Sequence, residues 1–200
     1  MTRLSDSVVR MLAAAEAARS ALPAAYQGDD RPYASADVMS VFAELRKHAG
    51  RGLSFLEWGS GLGTITIIAD QLGYQAFGIE IDSLLVENAR QLAESIHSGA
   101  IFAAGNYLPT AARESNRLLA RLNSLGPLVL DGPDGYAALG RQVNEFDLIY
   151  VFPWPDQIDL CHDLFASYAR VGARLLVYSQ TMDMLEAVKG PRGCTALRPA

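Results

Sequence analysis

Cysteine is nearly absent from this chain. Cys161 and Cys194 are the only two in 200 residues, too few for a disulfide framework. A reducing, cytoplasmic setting is therefore expected. Histidine is almost as scarce. His48, His97 and His162 stand far apart, and without a Cys/His cluster no zinc site is expected. No apolar run approaches the length needed to span a bilayer. Residues 1–25 are alanine-rich, but Arg10, Glu16 and Arg19 interrupt them, which fits an amphipathic helix better than a signal peptide. Positive charge is not in excess. The formal net charge of −5 gives no support for a nucleic-acid or membrane partner. Internal repeats and low-complexity tails are missing too. What remains is half hydrophobic and one-fifth charged, an ordinary globular composition long enough to bury one core. Nothing in it sets the oligomeric state, and a homo-oligomer stays open.

Elements follow in a regular order. Ser5 or Asp6 can cap a first helix running to about Ala21. A loop at 23–32 precedes a second helix after Ser35, whose Val38, Val41, Phe42 and Leu45 make one stripe. Strands are then predicted at 53–58, 74–81, 100–104, 146–152 and 173–179. Helices at 62–72, 83–97 and 156–170 fall between them, the last two capped by Asp82 and Asp156. Repeated β-α-β order predicts an α/β fold. Its form is a three-layer, Rossmann-like, mostly parallel sheet with helices on both faces. The whole chain reads as one domain: a helical cap over 1–50, a core over 51–180, and an extended segment over 107–145 inside that core. The extended segment predicts a helix near 110–124. It also carries Asp131-Gly132-Pro133-Asp134-Gly135, read as a turn, with a metal held by Asp131 and Asp134 as the alternative. Arg113, Arg117 and Arg121 make a basic stripe, read as a solvated face or a contact for an acidic partner. After strand five there is room for one more strand at most, around 194–197, so the C-terminal end is shortened.

The most informative stretch is Phe55-Leu56-Glu57-Trp58-Gly59-Ser60-Gly61-Leu62-Gly63. It reads as a strand turning sharply into a helix, with bare backbone lining the turn. A dinucleotide fingerprint needs G-x-G-x-x-G, but Thr64 stands where its third glycine belongs. Glu57, two residues before the first glycine, would repel a pyrophosphate and welcome an ammonium group.

This E-x-G-x-G-x-G pattern resembles the first motif of the class I S-adenosylmethionine (SAM) dependent methyltransferases. The resemblance implies that Gly59, Ser60, Gly61 and Gly63 approach the methionine end of SAM and that Glu57 is tied to it. It implies that Glu80, seventeen positions after Gly63, accepts from both ribose hydroxyls while Ile81 packs on the adenine. Asp82 already serves as a cap, which leaves Glu80 less structural reason. The third strand ends Gly105-Asn106-Tyr107 where the family usually has Gly-Asp. The amide oxygen of Asn106 could take the adenine amino group in place of the acid. Tyr107 either covers the ring or is a core tyrosine. Tyr33 and Ser35 resemble a segment that folds over the methionine end in some branches, although Ser35 also suits a helix N-cap.

The acceptor end differs from the best-marked branches. Family N-methylases often carry Asn/Asp-Pro-Pro-Tyr after strand four. Here the run is Phe152-Pro153-Trp154-Pro155-Asp156, so an adenine or glutamine N-methylase is not expected. The run is a rigid apolar lip. It suits an aromatic acceptor or packs against 107–145. Phe152, Trp154 and Asp156 are the acceptor-site candidates. No catalytic base announces itself; Asp156, Tyr150, Tyr107 and His162 are the candidates. The expected activity is methyl transfer from SAM to an unidentified acceptor, with a small molecule in view. The alternatives are a SAM-binding protein without turnover and a nicotinamide oxidoreductase.

Overall fold

The computed structural model of the protein describes residues 6–26, 37–115, 131–179, 181 and 183–200. Five strands run parallel at its centre: β1 (Ser54–Trp58), β2 (Gln75–Glu80), β3 (Ile101–Ala104), β4 (Leu148–Val151) and β5 (Arg174–Tyr178). Each is short and rich in apolar residues, as a strand covered on both faces must be. Alternation sorts the side chains. Leu148 and Tyr150 of β4 join one core, while Ile149 and Val151 join the other. β5 divides the same way, Leu176 and Tyr178 against Leu175 and Val177.

Four helices cover the first face: α1 (Asp6–Ala21), α2 (Val38–Arg46), α3 (Thr64–Gln71) and α4 (Ser83–Ser95). The second face carries α5 (Thr110–Arg113), α6 (Gly135–Leu139) and α7 (Ile158–Tyr168). Of the stripe expected on α2, Val41, Phe42 and Leu45 are buried and Val38 is half-buried; α4 buries Leu85, Ala89 and Leu92, and α7 buries Leu160, Leu164 and Phe165. Asp82 caps α4 as expected, accepting from the N–H groups of Leu84 and Leu85. The five parallel strands lie in the order β3-β2-β1-β4-β5. Among the described residues, no helix is long and apolar enough to cross a membrane.

Several expectations need correction. The cap of α2 is Asp37, which accepts from the Met39 N–H; Ser35 lies outside the described residues. Asp156 does not cap α7. A 3-10 turn, Pro155–Gln157, leads into it, and the N-cap residue is Gln157 without a side-chain bond. Of the helix expected at 110–124, only Thr110–Arg113 falls within the described residues as helix, and Arg117 and Arg121 lie outside them. Asp134, in the piece read as a turn, is the N-cap of α6, accepting from Tyr136 and Ala137 N–H. No group of metal-binding side chains forms among the described residues.

The C-terminus holds more strand than expected. β6 (Met184–Gly190) runs antiparallel to β5, and two-residue pieces, β7 (Gly193–Cys194) and β8 (Arg198–Pro199), pair with β6. Composition hides β6. It carries Glu186 and Lys189, and only Ala187 is buried. Ladder bonds to β5 and the Arg174–Glu186 ion pair hold it in place of an apolar face.

Candidate functional site

β1 lies between β2 and β4, so the chain leaves it toward both sides of the sheet. In open α/β sheets the ligand crevice forms there, beyond the carboxyl ends of the strands. A cleft of about 180 Å³ occupies that place. The end of β1 contributes Trp58 and Gly59, β2 contributes Glu80 and Ile81, and β3 contributes Asn106 and Tyr107. The end of β4 adds Val151 through Trp154, and Gln157 completes the wall.

The glycine turn is built as its sequence implies. Gly59, Gly61 and Gly63 have φ of 72°, 53° and 73°. The N–H groups of Gly59 and Ser60 both donate to the Ile79 carbonyl, at 2.9 and 3.0 Å, which binds the turn to β2. Gly63 is the left-handed N-cap residue of α3, and a Cβ there would lie 2.4 Å from the Phe102 ring. At Gly59 a Cβ would meet nothing within 4 Å, so bare backbone faces the opening. Ser60 is buried and does not line the cleft.

Glu80 has more structural work than the sequence suggests. One carboxylate oxygen accepts from Gly61 N–H at 2.9 Å, and the other accepts from Asp82 N–H at 3.0 Å. Glu80 therefore ties the glycine turn to the start of α4. Each oxygen keeps a further lone pair, and the side chain lines the cleft.

Glu57 behaves differently. Its Oε2 accepts from the Thr66 N–H at 2.9 Å and the Thr66 hydroxyl at 2.5 Å, within the first turn of α3. The residue is buried and does not line the cleft. Burial raises its pKa to about 8, against the pull of the Thr66 bonds and with a small push from Glu80. The structure thus gives Glu57 a seat behind the turn rather than in the opening.

On the other side, Ile81 is 39% exposed at the cleft, and Gly132 is where a Cβ would meet it at 2.8 Å. The 131–135 turn is stitched to the end of β3. Asn106 N–H donates to Pro133 O, and Gly135 N–H donates to Asn106 O. Side-chain substitution at Gly135 has no room, since a Cβ would stand 2.5 Å from Ile79 Cγ2. Asn106 is 3% exposed, and its Oδ1 already accepts from Leu108 N–H at 2.8 Å. One lone pair of that oxygen is spent on the loop.

Trp58 was not marked by its sequence as a site residue. Its indole N–H donates to the Tyr136 hydroxyl at 2.8 Å, and its ring stacks on Tyr107 with centroids 5.5 Å apart. Tyr107 thus belongs to the cleft wall and to the core together. Its hydroxyl is buried beside Cys161, and burial raises its pKa well above the ordinary tyrosine range. The only signal for Trp58 is strand alternation, which puts it on the same face as Leu56. Gln157 gave no signal, because a glutamine before an apolar stripe reads as helix surface.

The lip of β4 reaches the cleft through Phe152 and Trp154. Phe152 packs edge-on against Tyr178 at 5.3 Å, and Trp154 is 37% exposed. Asp156 is exposed and does not line the cleft. Two candidate bases lie elsewhere. Tyr150 is buried in the core beside Phe55. His162 Nε2 is 2.7 Å from the Thr195 carbonyl, and the residue does not line the cleft. Tyr33 and Ser35 fall outside the described residues.

No protein-family model matches the sequence, and no curated protein matches it. Solved structures do match in fold. A protein-L-isoaspartate O-methyltransferase-type protein from Plasmodium falciparum, solved with S-adenosyl-L-homocysteine (SAH), aligns over 98% of this chain and 87% of its own at a TM-score of 0.56 and 12% identity. Another protein-L-isoaspartate O-methyltransferase aligns over 98% of this chain at a TM-score of 0.54 and 15% identity, and the alignment spans only 61% of that protein. At these identities the likeness is one of fold: the sheet and its helices are arranged as in these two proteins.

Proposed function

We propose that this protein is a class I SAM-dependent methyltransferase. The observation that carries the proposal is the cleft itself. It joins the glycine turn, Glu80, Ile81 and Asn106 to the apolar lip of β4 at the point where the sheet order reverses. Glu80 would hold the ribose hydroxyls on its remaining lone pairs, and Ile81 with the 131–135 turn would flank the adenine. SAM supplies the methyl group as a sulfonium. The chain's part is to hold the acceptor in line, which needs little acid–base help. The acceptor belongs among small molecules rather than nucleic acids, because no lysine, arginine or histidine lines the cleft among the described residues.

In a thermal-shift assay SAM and SAH should raise Tm while NAD leaves it unchanged. At a hundred times Kd the stabilisation should be about 2.7 kcal/mol. A shift with NAD and none with SAH would replace this reading with a nicotinamide oxidoreductase. Glu80→Ala should weaken SAH binding by roughly 1.5–3 kcal/mol, the range for hydrogen bonds to charged groups. The ligand-free variant should also melt lower, since Gly61 and Asp82 N–H lose their acceptor. Calorimetry giving an unchanged SAH affinity would confine Glu80 to holding the turn.

A second reading has one observation in its favour. The ionisable side chains lining the cleft are Glu80, already bonded twice, and Tyr107, whose hydroxyl is buried. A SAM-binding regulatory protein without turnover would look the same. It would bind SAH tightly and release no SAH from SAM with any acceptor.

A further inference from the structure

Gln157 is the group in the cleft that the fold does not explain. It is 3% exposed, lines the cleft, and its Nε2 has no hydrogen-bond partner among the described residues. Its backbone is accounted for, donating to Trp154 O at 2.9 Å in the turn before α7. A buried amide N–H left unpaired is destabilising, so folds rarely keep one without a use. Behind it the Trp58 and Tyr107 rings stack on each other, 14° from parallel, and Trp58 is only 2% exposed. Trp154, which is 37% exposed and lines the cleft, offers the flat aromatic surface there.

We infer that Gln157 reads the methyl acceptor, and that the acceptor is a flat, neutral aromatic carrying a carbonyl or ring-nitrogen acceptor. The inference rests on the methyltransferase reading for the word acceptor, but not for the binding site. Three features select this chemistry. The exposed Trp154 ring takes a flat ligand by stacking. The unpaired N–H demands a hydrogen-bond acceptor on that ring. Glu80 in the cleft, with no cationic side chain lining it among the described residues, disfavours an anion. Discrimination of this kind is strong, because an analogue lacking the acceptor atom leaves the amide unpaired.

The test uses N-methyl-2-quinolone, 1-methylnaphthalene and 2-naphthoate as probes, titrated by ligand-observed NMR with and without SAH. Wild type should prefer the quinolone over the naphthalene by about tenfold, and 2-naphthoate should bind no better than the naphthalene. Gln157→Met should bring the preference to near unity and keep naphthalene binding. Gln157→Glu, which turns the donor into an acceptor, should bind the quinolone no better than Gln157→Met. Ligand-free Gln157→Met should also melt about 2–4 °C higher, since the unpaired amide is gone. A wild type without the preference, a preference that survives Gln157→Met, or a lower Tm in that variant would overturn the inference. SAH calorimetry on the same samples keeps the readings apart. Loss of SAH binding in wild type sinks the methyltransferase proposal, while the probe preference stands or falls without SAH.

Discussion

Glu57→Gln should flatten the dependence of stability on pH between about 4.5 and 8. Burial holds the Glu57 carboxyl at a pKa of about 8 in the folded protein, against 4.5 when exposed. The folded value is raised, so the stabilisation is full below pH 4.5. It is lost as pH rises through 8, because the unfolded chain releases its proton first. The difference corresponds to at most about 5 kcal/mol. Urea unfolding at several pH values, wild type against Glu57→Gln, isolates this group from the other carboxyls. Parallel profiles would mean that the Thr66 donors and the start of α3 keep Glu57 ionised at ordinary pH. Glu57 would then be a fixed negative charge behind the glycine turn.

Gly63→Ala should cost about 2–5 kcal/mol. A left-handed backbone is one part of that cost, roughly 1–2 kcal/mol for a residue with a Cβ. Collision is the other. The new methyl would lie 2.4 Å from the edge of the Phe102 ring, which is 4% exposed and cannot swing into solvent. Overpacking of this kind costs about 1–3 kcal/mol. Denaturant midpoints give the loss, and Phe102→Leu in the same chain should recover the collision part but not the backbone part. A loss under about 1 kcal/mol would show that α3 can shift to make room, and that Gly63 is not held by its neighbours.

Much of the molecule is legible in the sequence because much of it is local. The five parallel strands were visible as short apolar runs, and α2, α4 and α7 as stripes at helical spacing. The cap at Asp82 sits one residue before its helix, where chain geometry alone decides. β6 was not visible, because a strand held by ladder bonds and the Arg174–Glu186 pair needs no apolar run. Asp156 looked like a cap only because the 3-10 turn at Pro155–Gln157 is indistinguishable from a helix start by composition.

By itself, then, the sequence determined the β-α order and the glycine turn after β1, which follow from spacing and from residues without a side chain. It also placed acids at the ends of β1 and β2. It could not say where those acids point. Strand alternation and burial decided that Glu57 turns to α3 while Glu80 faces the cleft and clasps Gly61. Nor could it join Trp58 to Tyr136, 78 residues away, or bring Gln157 into the same cleft as Trp58. Those contacts exist only once β1 and β4 lie side by side. The register of a sheet is set by packing over the whole core, not by neighbours along the chain.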